Sequence, residues 1–144
     1  MKLSEHFQLS EFTKSATANK YGFKNIPNDN QIANLKALCE NVLEPLRQHF
    51  NVPIIISSGY RSPALNKAVG GTPTSQHKTG EACDIHIPDE ATGNQWFEWI
   101  KDNLQFDQLI KERATKTSKS FWIHVSCRYD PSRNRHQVKY ITKS

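Results

Sequence analysis

Two histidines and one aspartate have the residue types of a metal site. Polar and apolar side chains alternate along residues 82–87, so in a strand Asp84 points away from the apolar face. His77 lies in the loop before that strand, and Gly80 allows the loop to fold back towards it. A loop histidine that meets a strand aspartate is a suitable pair of metal ligands.

A second predicted strand, over residues 121–126, supplies a third group. By the same alternation, His124 shares the polar face of this strand with Trp122 and Ser126. If the two strands lie close together, His77, Asp84 and His124 converge. Two neutral imidazole nitrogens and one carboxylate oxygen then form a three-ligand zinc site with an open fourth position for water, which is typical of catalytic zinc. The alternative ligand is His86, on the face of Asp84.

Such a site needs a general base that takes a proton from water and passes it to the leaving amine. Glu112 is the predicted base, because it ends a strand predicted over residues 106–112 and precedes the loop that returns into the His124 strand. Glu81 is predicted to face the other side of its strand, and Glu98 lies on a helix. Both are weaker candidates for the base.

Residues near these ligands are candidates for substrate binding. Arg61 follows a buried strand and a glycine, where a guanidinium is suited to clamp a substrate carboxylate or to stabilise an oxyanion. Ser75 and Gln76, beside the first ligand, are expected to bind the substrate backbone, and Trp122 is expected to contact substrate. Each has a simpler interpretation: Arg61 as a surface ion-pair residue, Trp122 as a core aromatic, and any single histidine as a hydrogen-bonding one.

Helices are predicted mainly in the first half of the chain. Apolar residues recur at spacings of three and four from Asn30 to Phe50, which predicts a helix with one buried stripe. Asn28 or Asp29 is expected to cap this helix, and Pro45 to kink or break it near its end. Residues 10–13 are expected to cap a short first helix, and further helices are predicted at 62–70 and around 92–104, the last capped by Asp89 or Thr92.

Strands are predicted at residues 53–58, 82–87, 106–112, 121–126 and 137–142. Helices early and strands late, joined by short return loops, favour an α+β fold with a mostly antiparallel sheet. At 144 residues the chain is expected to form a single domain, residues 1–144.

Composition excludes several protein classes. Hydrophobic residues make up 36% and charged residues 23%, which argues against disorder, and the apolar runs are too short for a membrane span. The amino terminus lacks the apolar stretch of a secretory signal, so we expect a cytoplasmic product as synthesised. Three widely spaced cysteines are expected to be reduced and buried. The net charge of +5 suits an anionic partner, but scattered basic residues argue against a nucleic-acid site.

The segment around the first two ligands resembles a known signature. The pattern Ser75-x-His77-x-x-Gly80-x-Ala82-x-Asp84-Ile85 is similar to S-x-H-x-x-G-x-A-x-D-[IL] of the zinc D-Ala-D-Ala carboxypeptidase family, which includes D,D-dipeptidases and phage L-alanyl-D-glutamate endopeptidases and shares its fold with the Hedgehog signalling domain. The resemblance extends over about residues 3–127, and includes the stretches beginning at Leu3, Ser57 and Trp122.

The resemblance implies a zinc peptidase acting on peptidoglycan stem peptides, with helices packed on one side of the sheet. It assigns the zinc to His77, Asp84 and His124, and substrate reading near the scissile bond to Arg61. Many members carry the catalytic glutamate two or three residues before the last histidine. This chain has no glutamate there, and Glu112 resembles the position used by a subfamily with a longer insertion.

The resemblance further implies a single-domain phage or prophage lysin. It is expected to be a monomer that a partner holin releases, or that a virion carries, to the wall. The alternative function is a non-catalytic cell-wall or metal-binding module on the same fold. The sequence leaves open which stem-peptide bond is cut, and whether the cut is terminal or internal.

Overall fold

The computed structural model describes residues 1–142. Its helices are α1 (Ser10–Thr13), α2 (Ala16–Tyr21), α3 (Asp29–Leu38), α4 (Glu44–Phe50), α5 (Pro63–Ala68) and α6 (Glu90–Asn103). Its strands are β1 (Ile55–Ser58), β2 (Ala82–His86), β3 (Gln108–Arg113), β4 (Trp122–Ser126) and β5 (Gln137–Thr142). A π-helical segment (Cys39–Leu43) and 3₁₀ helices at Gln76–Thr79 and Pro131–Arg133 complete the described elements.

The five strands form one sheet in the order β1-β2-β4-β3-β5. Three of the four pairings are antiparallel, and β5 joins the edge of β3 in parallel. The predicted α+β class with a mostly antiparallel sheet is confirmed. Each predicted strand is present, and no strand end differs from its prediction by more than two residues.

The two faces of the sheet differ as the alternation predicts. One face carries the fully buried side chains of Cys83, Ile85, Leu109, Ile123 and Val125. These pack into a core with apolar residues from α3, the π-helical segment, α4 and α6. Because that core occupies one face, the polar side chains of β2, β3 and β4 are left on the other. The three cysteines are free and buried, as predicted.

The long helix predicted from Asn30 to Phe50 is interrupted earlier than Pro45 suggested. Pro45 has no backbone N–H, so the regular α-helical hydrogen-bond ladder cannot continue through it. The ladder widens in the turn before it, where the Glu44 N–H donates to the Cys39 carbonyl across the π-helical segment. Asn28 caps the start in a capping box with Gln31, one of the two caps predicted.

The sequence analysis left two helical elements unpredicted and the cap of α6 undecided between two residues. The sequence analysis did not predict α2, although Ser15 caps its start and Gly22 ends it in the left-handed conformation, both recognisable signals. The loop between α5 and β2 contains the 3₁₀ helix Gln76–Thr79, which carries His77. For α6, Asp89 rather than Thr92 is the cap, because the Asp89 carboxylate accepts from the Thr92 N–H.

Candidate active site

His77, Asp84 and His124 meet on the polar face of the sheet. Nε2 of His77 lies 3.3 Å from Oδ1 of Asp84, and Nδ1 of His124 lies 3.0 Å from the same oxygen. Each residue offers one ligand atom, and these three atoms lie within 4.8 Å of one another. All three residues are buried. The predicted convergence is therefore present.

Local structure explains why these side chains meet. Asp84 on β2 and His124 on β4 are direct partners across the antiparallel pair, so their side chains lie on the same face. His77 is held by the short 3₁₀ helix, which begins with the Ser75 hydroxyl accepting from the His77 N–H. The helix ends at Gly80, whose φ of 78° suits glycine, and the chain enters β2 directly afterwards.

The protonation pattern of His77 tests whether a cation fits this group. Nδ1 of His77 lies 2.7 Å from the carbonyl oxygen of Gly59, which can only accept, so Nδ1 carries the proton. In the neutral imidazole the lone pair on Nε2 then faces the Asp84 carboxylate, and two acceptors oppose each other. A cation between them removes this repulsion. The carbonyl contact is also the usual device that orients a metal-binding histidine.

The donor set selects the kind of cation. Two imidazole nitrogens and a carboxylate oxygen suit zinc, whereas magnesium and calcium prefer oxygen ligands. Ligands at ordinary zinc bond lengths of about 2.0–2.1 Å in a tetrahedron are about 3.3 Å apart. The separations of 3.0 and 3.3 Å from Asp84 match that spacing. The residues present therefore fit one zinc ion.

Electrostatics keeps Asp84 ionised. Burial by itself raises the pKa of this carboxyl, but the neighbouring imidazoles, His77 first and then His124, outweigh burial and hold the pKa well below its usual range. The second carboxylate oxygen faces Arg61, whose Nη2 lies 3.6 Å from Oδ2. A charged carboxylate is the form that binds a metal.

Arg61 is anchored from three directions. Its Nε donates to the Ser58 hydroxyl and its Nη1 to the Asn66 side-chain oxygen, each at 3.2 Å. Burial lowers the pKa of the guanidinium, and the negative charges of Asp84 and Glu112 oppose that shift. Since arginine stays protonated in proteins, Arg61 places a fixed positive charge near the carboxylates of Asp84 and Glu112.

The ligand group opens into a cavity of about 690 Å³. Arg61, Ser75, Gln76 and Glu112 line it together with the three ligands. Glu112 reaches the cavity through strand register: Ile110 of β3 is the partner of His124, and Glu112 lies two residues further along on the same face. A carboxylate and a possible zinc site thus share one solvent-accessible space.

The comparison with protein families agrees with this geometry. A family model described as Peptidase M15 matches residues 5–126. This chain belongs to the peptidase M15 family. M15 peptidases are zinc-dependent metallopeptidases, so the protein is a zinc metallopeptidase, and its buried histidine–aspartate–histidine group is where one metal ion would bind. The search of curated proteins found no match.

In this M15 peptidase, Ser75 and Gln76 are bound to other parts of the chain as well as lining the cavity. Ser75 caps the 3₁₀ helix, and the side-chain amide of Gln76 donates to Oδ2 of Asp107 at 2.8 Å. The other amide atom, Oε1 of Gln76, is buried and has no hydrogen-bond partner within residues 1–142. Their role in substrate binding stays a prediction.

Asp107 is a residue that the sequence analysis missed. Its fully buried carboxylate accepts from Nε and Nη2 of Arg135, at 2.9 and 2.8 Å, and lies 3.3 Å from Nε of Arg128. Through its hydrogen bond with Gln76, the residue next to His77, Asp107 ties the cavity wall to the segment that carries this ligand. The available signal was the position of this acid next to the apolar Phe106, which is buried. A carboxylate in such a place is itself at risk of burial, and buried carboxylates are almost always paired.

Glu81 was wrongly placed by the alternation argument. It lines the 690 Å³ cavity, because β2 begins only at Ala82 and strand alternation does not extend back to it. Its carboxylate accepts from the Thr79 hydroxyl at 2.6 Å and lies 3.4 Å from Nη1 of Arg128. Glu81 therefore faces the site but is committed to these two partners.

Trp122 and His86 lie beside the metal ligands in a separate cavity. Both line a space of about 320 Å³ that also touches Asp84. His86 is exposed and is not part of the ligand group, so the alternative ligand is not used. Glu98, the other rejected base, lies on α6 and pairs with Lys101 at 2.6 Å.

Proposed function

We propose that this M15 peptidase hydrolyses a peptide bond in peptidoglycan stem peptides, as D-Ala-D-Ala carboxypeptidases and L-Ala-D-Glu endopeptidases do. The observation that carries the proposal is one zinc-type ligand group that opens into a cavity shared with Glu112 and Arg61. The wall substrate is suggested by the signature around His77 and Asp84, which resembles that of wall peptidases.

The reaction divides between the metal and the protein. His77, Asp84 and His124 would hold the zinc ion, which would supply a Lewis acid for the scissile carbonyl and lower the pKa of water to about 7. Glu112 accepts a proton from the attacking water and delivers it to the leaving amine. Water thus adds its hydroxyl to the carbonyl carbon as the carbon–nitrogen bond breaks.

The remaining residues bind and orient the substrate. Hydrogen bonds to Ser58 and Asn66 fix the guanidinium of Arg61, which stabilises the negative charge that develops on the substrate. Ser75 and Gln76 contact the peptide backbone. Trp122 provides an aromatic surface in the smaller cavity. Asp107 keeps the Gln76 amide in one orientation, because an ionised carboxylate only accepts hydrogen bonds.

The route to the wall is part of the same proposal. The net charge of +5 favours approach to an anionic wall, with an attraction that weakens as salt rises. No helix within residues 1–142 has the length and apolar character needed to cross a bilayer. We expect a monomeric lysin of phage or prophage origin, released by a holin or carried in a virion.

The replacement Glu112→Gln tests the mechanism directly. It removes the proton acceptor while keeping the side-chain shape, so we expect kcat on purified muropeptides to fall by about 10²- to 10⁴-fold. Zinc content should stay at one equivalent, because Glu112 is not a ligand. The measurements are product analysis by mass spectrometry and metal analysis of the same sample, with and without a chelator.

Glu98→Gln is the matched control, since Glu98 lies on α6 and outside both cavities that touch Asp84. It should leave muropeptide cleavage unchanged. Unaltered cleavage by the Glu112→Gln protein would show that the base lies elsewhere. A wild-type protein that holds zinc and cleaves no muropeptide would instead support the non-catalytic module.

A further inference from the structure

Cavities lie on both sides of the metal ligands along one face of the sheet. The larger, of about 690 Å³, extends from the ligands over β3 and β5. The smaller, of about 320 Å³, extends the other way over Ser57 of β1, His86 of β2 and the segment before β4. Asp84 lines both cavities, so the space available to a substrate continues past the ligand group in two directions.

The sizes of these cavities bear on where a substrate is cut. Both cavities here fall within the range of about 300–1,000 Å³ that accommodates a drug-sized ligand. A single alanine is far smaller than either. Each side of the ligand group therefore has room for a longer piece of peptide.

The cations around the ligands bear on the same question, because a carboxypeptidase must bind the free carboxylate of its substrate. The guanidinium of Arg61 faces Asp84, that of Arg135 is paired with Asp107, and that of Arg128 lies between Asp107 and Glu81. Each guanidinium that lines the larger cavity is thus already matched to a carboxylate of the chain itself.

The other cation of that cavity is distant from the ligands. Lys139 lies on the edge strand β5 and is the partner of Ile110 on β3. Ile110 is also the partner of His124 on β4, so strand β3 lies between Lys139 and His124. The described lining of the smaller cavity includes no lysine or arginine. A terminal carboxylate placed next to the scissile bond would therefore meet no guanidinium that is free of an internal partner.

We propose that this enzyme cuts an internal peptide bond, with substrate residues in both cavities, and does not need a free carboxyl terminus. The inference rests on the proposed function and decides between its internal and terminal forms. The hydrolysis is the one described above: water supplies the hydroxyl to the carbonyl carbon and the proton to the released amine. Only the position of the bond within the peptide is new.

The test compares two synthetic peptides with the zinc-loaded protein. One is a muramyl pentapeptide that ends in D-Ala-D-Ala, and the other is the same peptide with a carboxamide at its end. We expect mass spectrometry to find the same internal cut in both, at rates within about twofold of each other. Release of a single D-alanine from the free acid alone would overturn the inference and leave the proposed function standing. Cleavage of neither peptide would overturn both.

A second measurement tests the smaller cavity. Ala114 is exposed and lines it, so Ala114→Trp should fill part of that space without disturbing the core. We expect kcat/KM on the carboxamide peptide to fall by about tenfold, with zinc content unchanged. Ala91→Trp, at an exposed position on α6, is the matched control and should keep full activity. Equal activity of the two variants would contradict substrate binding in the smaller cavity.

Discussion

At the scale of single residues, two buried carboxylates in this protein serve different purposes because their partners differ. Asp84 faces two imidazoles, whose nitrogens are candidate ligands of the same metal ion, and one guanidinium at 3.6 Å. Asp107 is surrounded by donors that are permanently charged or neutral: two arginines and the Gln76 amide. The first arrangement accepts a metal ion, and the second stabilises the wall of the cavity.

Asp107 should make stability depend on pH in acid. The hydrogen bonds from Arg135 hold its pKa below the ordinary 3.8. The stabilisation is therefore complete above pH 3.8 and is lost as the pH falls through the lower pKa of the folded state. We expect Asp107→Asn to reduce the free energy of unfolding by about 2 kcal/mol at pH 7, because Arg135 is half exposed and partly screened.

Urea denaturation at several pH values measures this effect. The difference between wild type and Asp107→Asn should shrink as the pH falls below 3.8, because the wild-type carboxylate is then protonated first in the unfolded chain and, at lower pH, in the folded protein. Asp102→Asn, at an exposed position on α6, is the control and should change stability little at any pH. A difference that stays constant down to pH 2 would contradict the ion-pair explanation.

At the scale of elements, a helix of only four residues carries the first ligand and depends on its two ends. The 3₁₀ helix Gln76–Thr79 starts at the Ser75 cap and stops at Gly80 in the left-handed conformation. Space at Gly80 is also limited, because a Cβ there would lie 2.5 Å from the backbone oxygen of Gln31 on α3. Position 80 thus fixes both the end of this helix and its approach to α3.

Gly80→Ala should therefore cost both stability and metal affinity. Left-handed backbone strain contributes about 1 kcal/mol or more, and the contact with Gln31 forces the helix and His77 to move. Gly22→Ala is a close control: Gly22 has a φ of 71°, and a Cβ there meets nothing within 4 Å. It should show the strain alone.

Thermal unfolding and zinc titration of both variants measure the two effects separately. We expect both to be less stable than wild type, with Gly80→Ala the worse, and only Gly80→Ala to bind zinc more weakly. Unchanged zinc affinity in Gly80→Ala would mean that the end of the 3₁₀ helix does not position His77.

At the scale of the whole molecule, the site exists only when the sheet is assembled. The ligands stand at positions 77, 84 and 124, and β2 and β4 become neighbours although α6 and β3 separate them in sequence. The unfolded chain holds these groups far apart on average, so it offers no comparable site. Zinc should consequently bind the folded state in preference and stabilise the entire protein.

This linkage predicts a large effect of zinc on the melting temperature. Free zinc at about 100 times its dissociation constant should add about 2.7 kcal/mol. For a chain of this length that raises the Tm by roughly 8 °C. Calorimetry with zinc, with a chelator and with magnesium measures it, and magnesium should have no effect because it prefers oxygen ligands. His77→Ala should abolish the zinc response, and a wild-type Tm that zinc leaves unchanged would contradict the metal site.

The sequence alone predicted the faces of the strands and the candidate metal ligands, with His86 as the alternative. Alternation is a local property: Asp84 and His124 point away from their apolar neighbours in the strand, so their position on the polar face followed from a few adjacent residues. Caps were similarly readable, as at Asn28. The same reasoning failed at Glu81, where the strand had not yet begun.

Only the tertiary structure decided which residues stand beside these ligands. Register between strands put Glu112 two residues beyond the partner of His124, and long-range packing brought Arg135 to Asp107, 28 residues away. The two cavities likewise depend on loops from distant parts of the chain. Local periodicity states which way a side chain points, but register and loop packing arise from interactions summed over the whole fold, and no short stretch of sequence contains them.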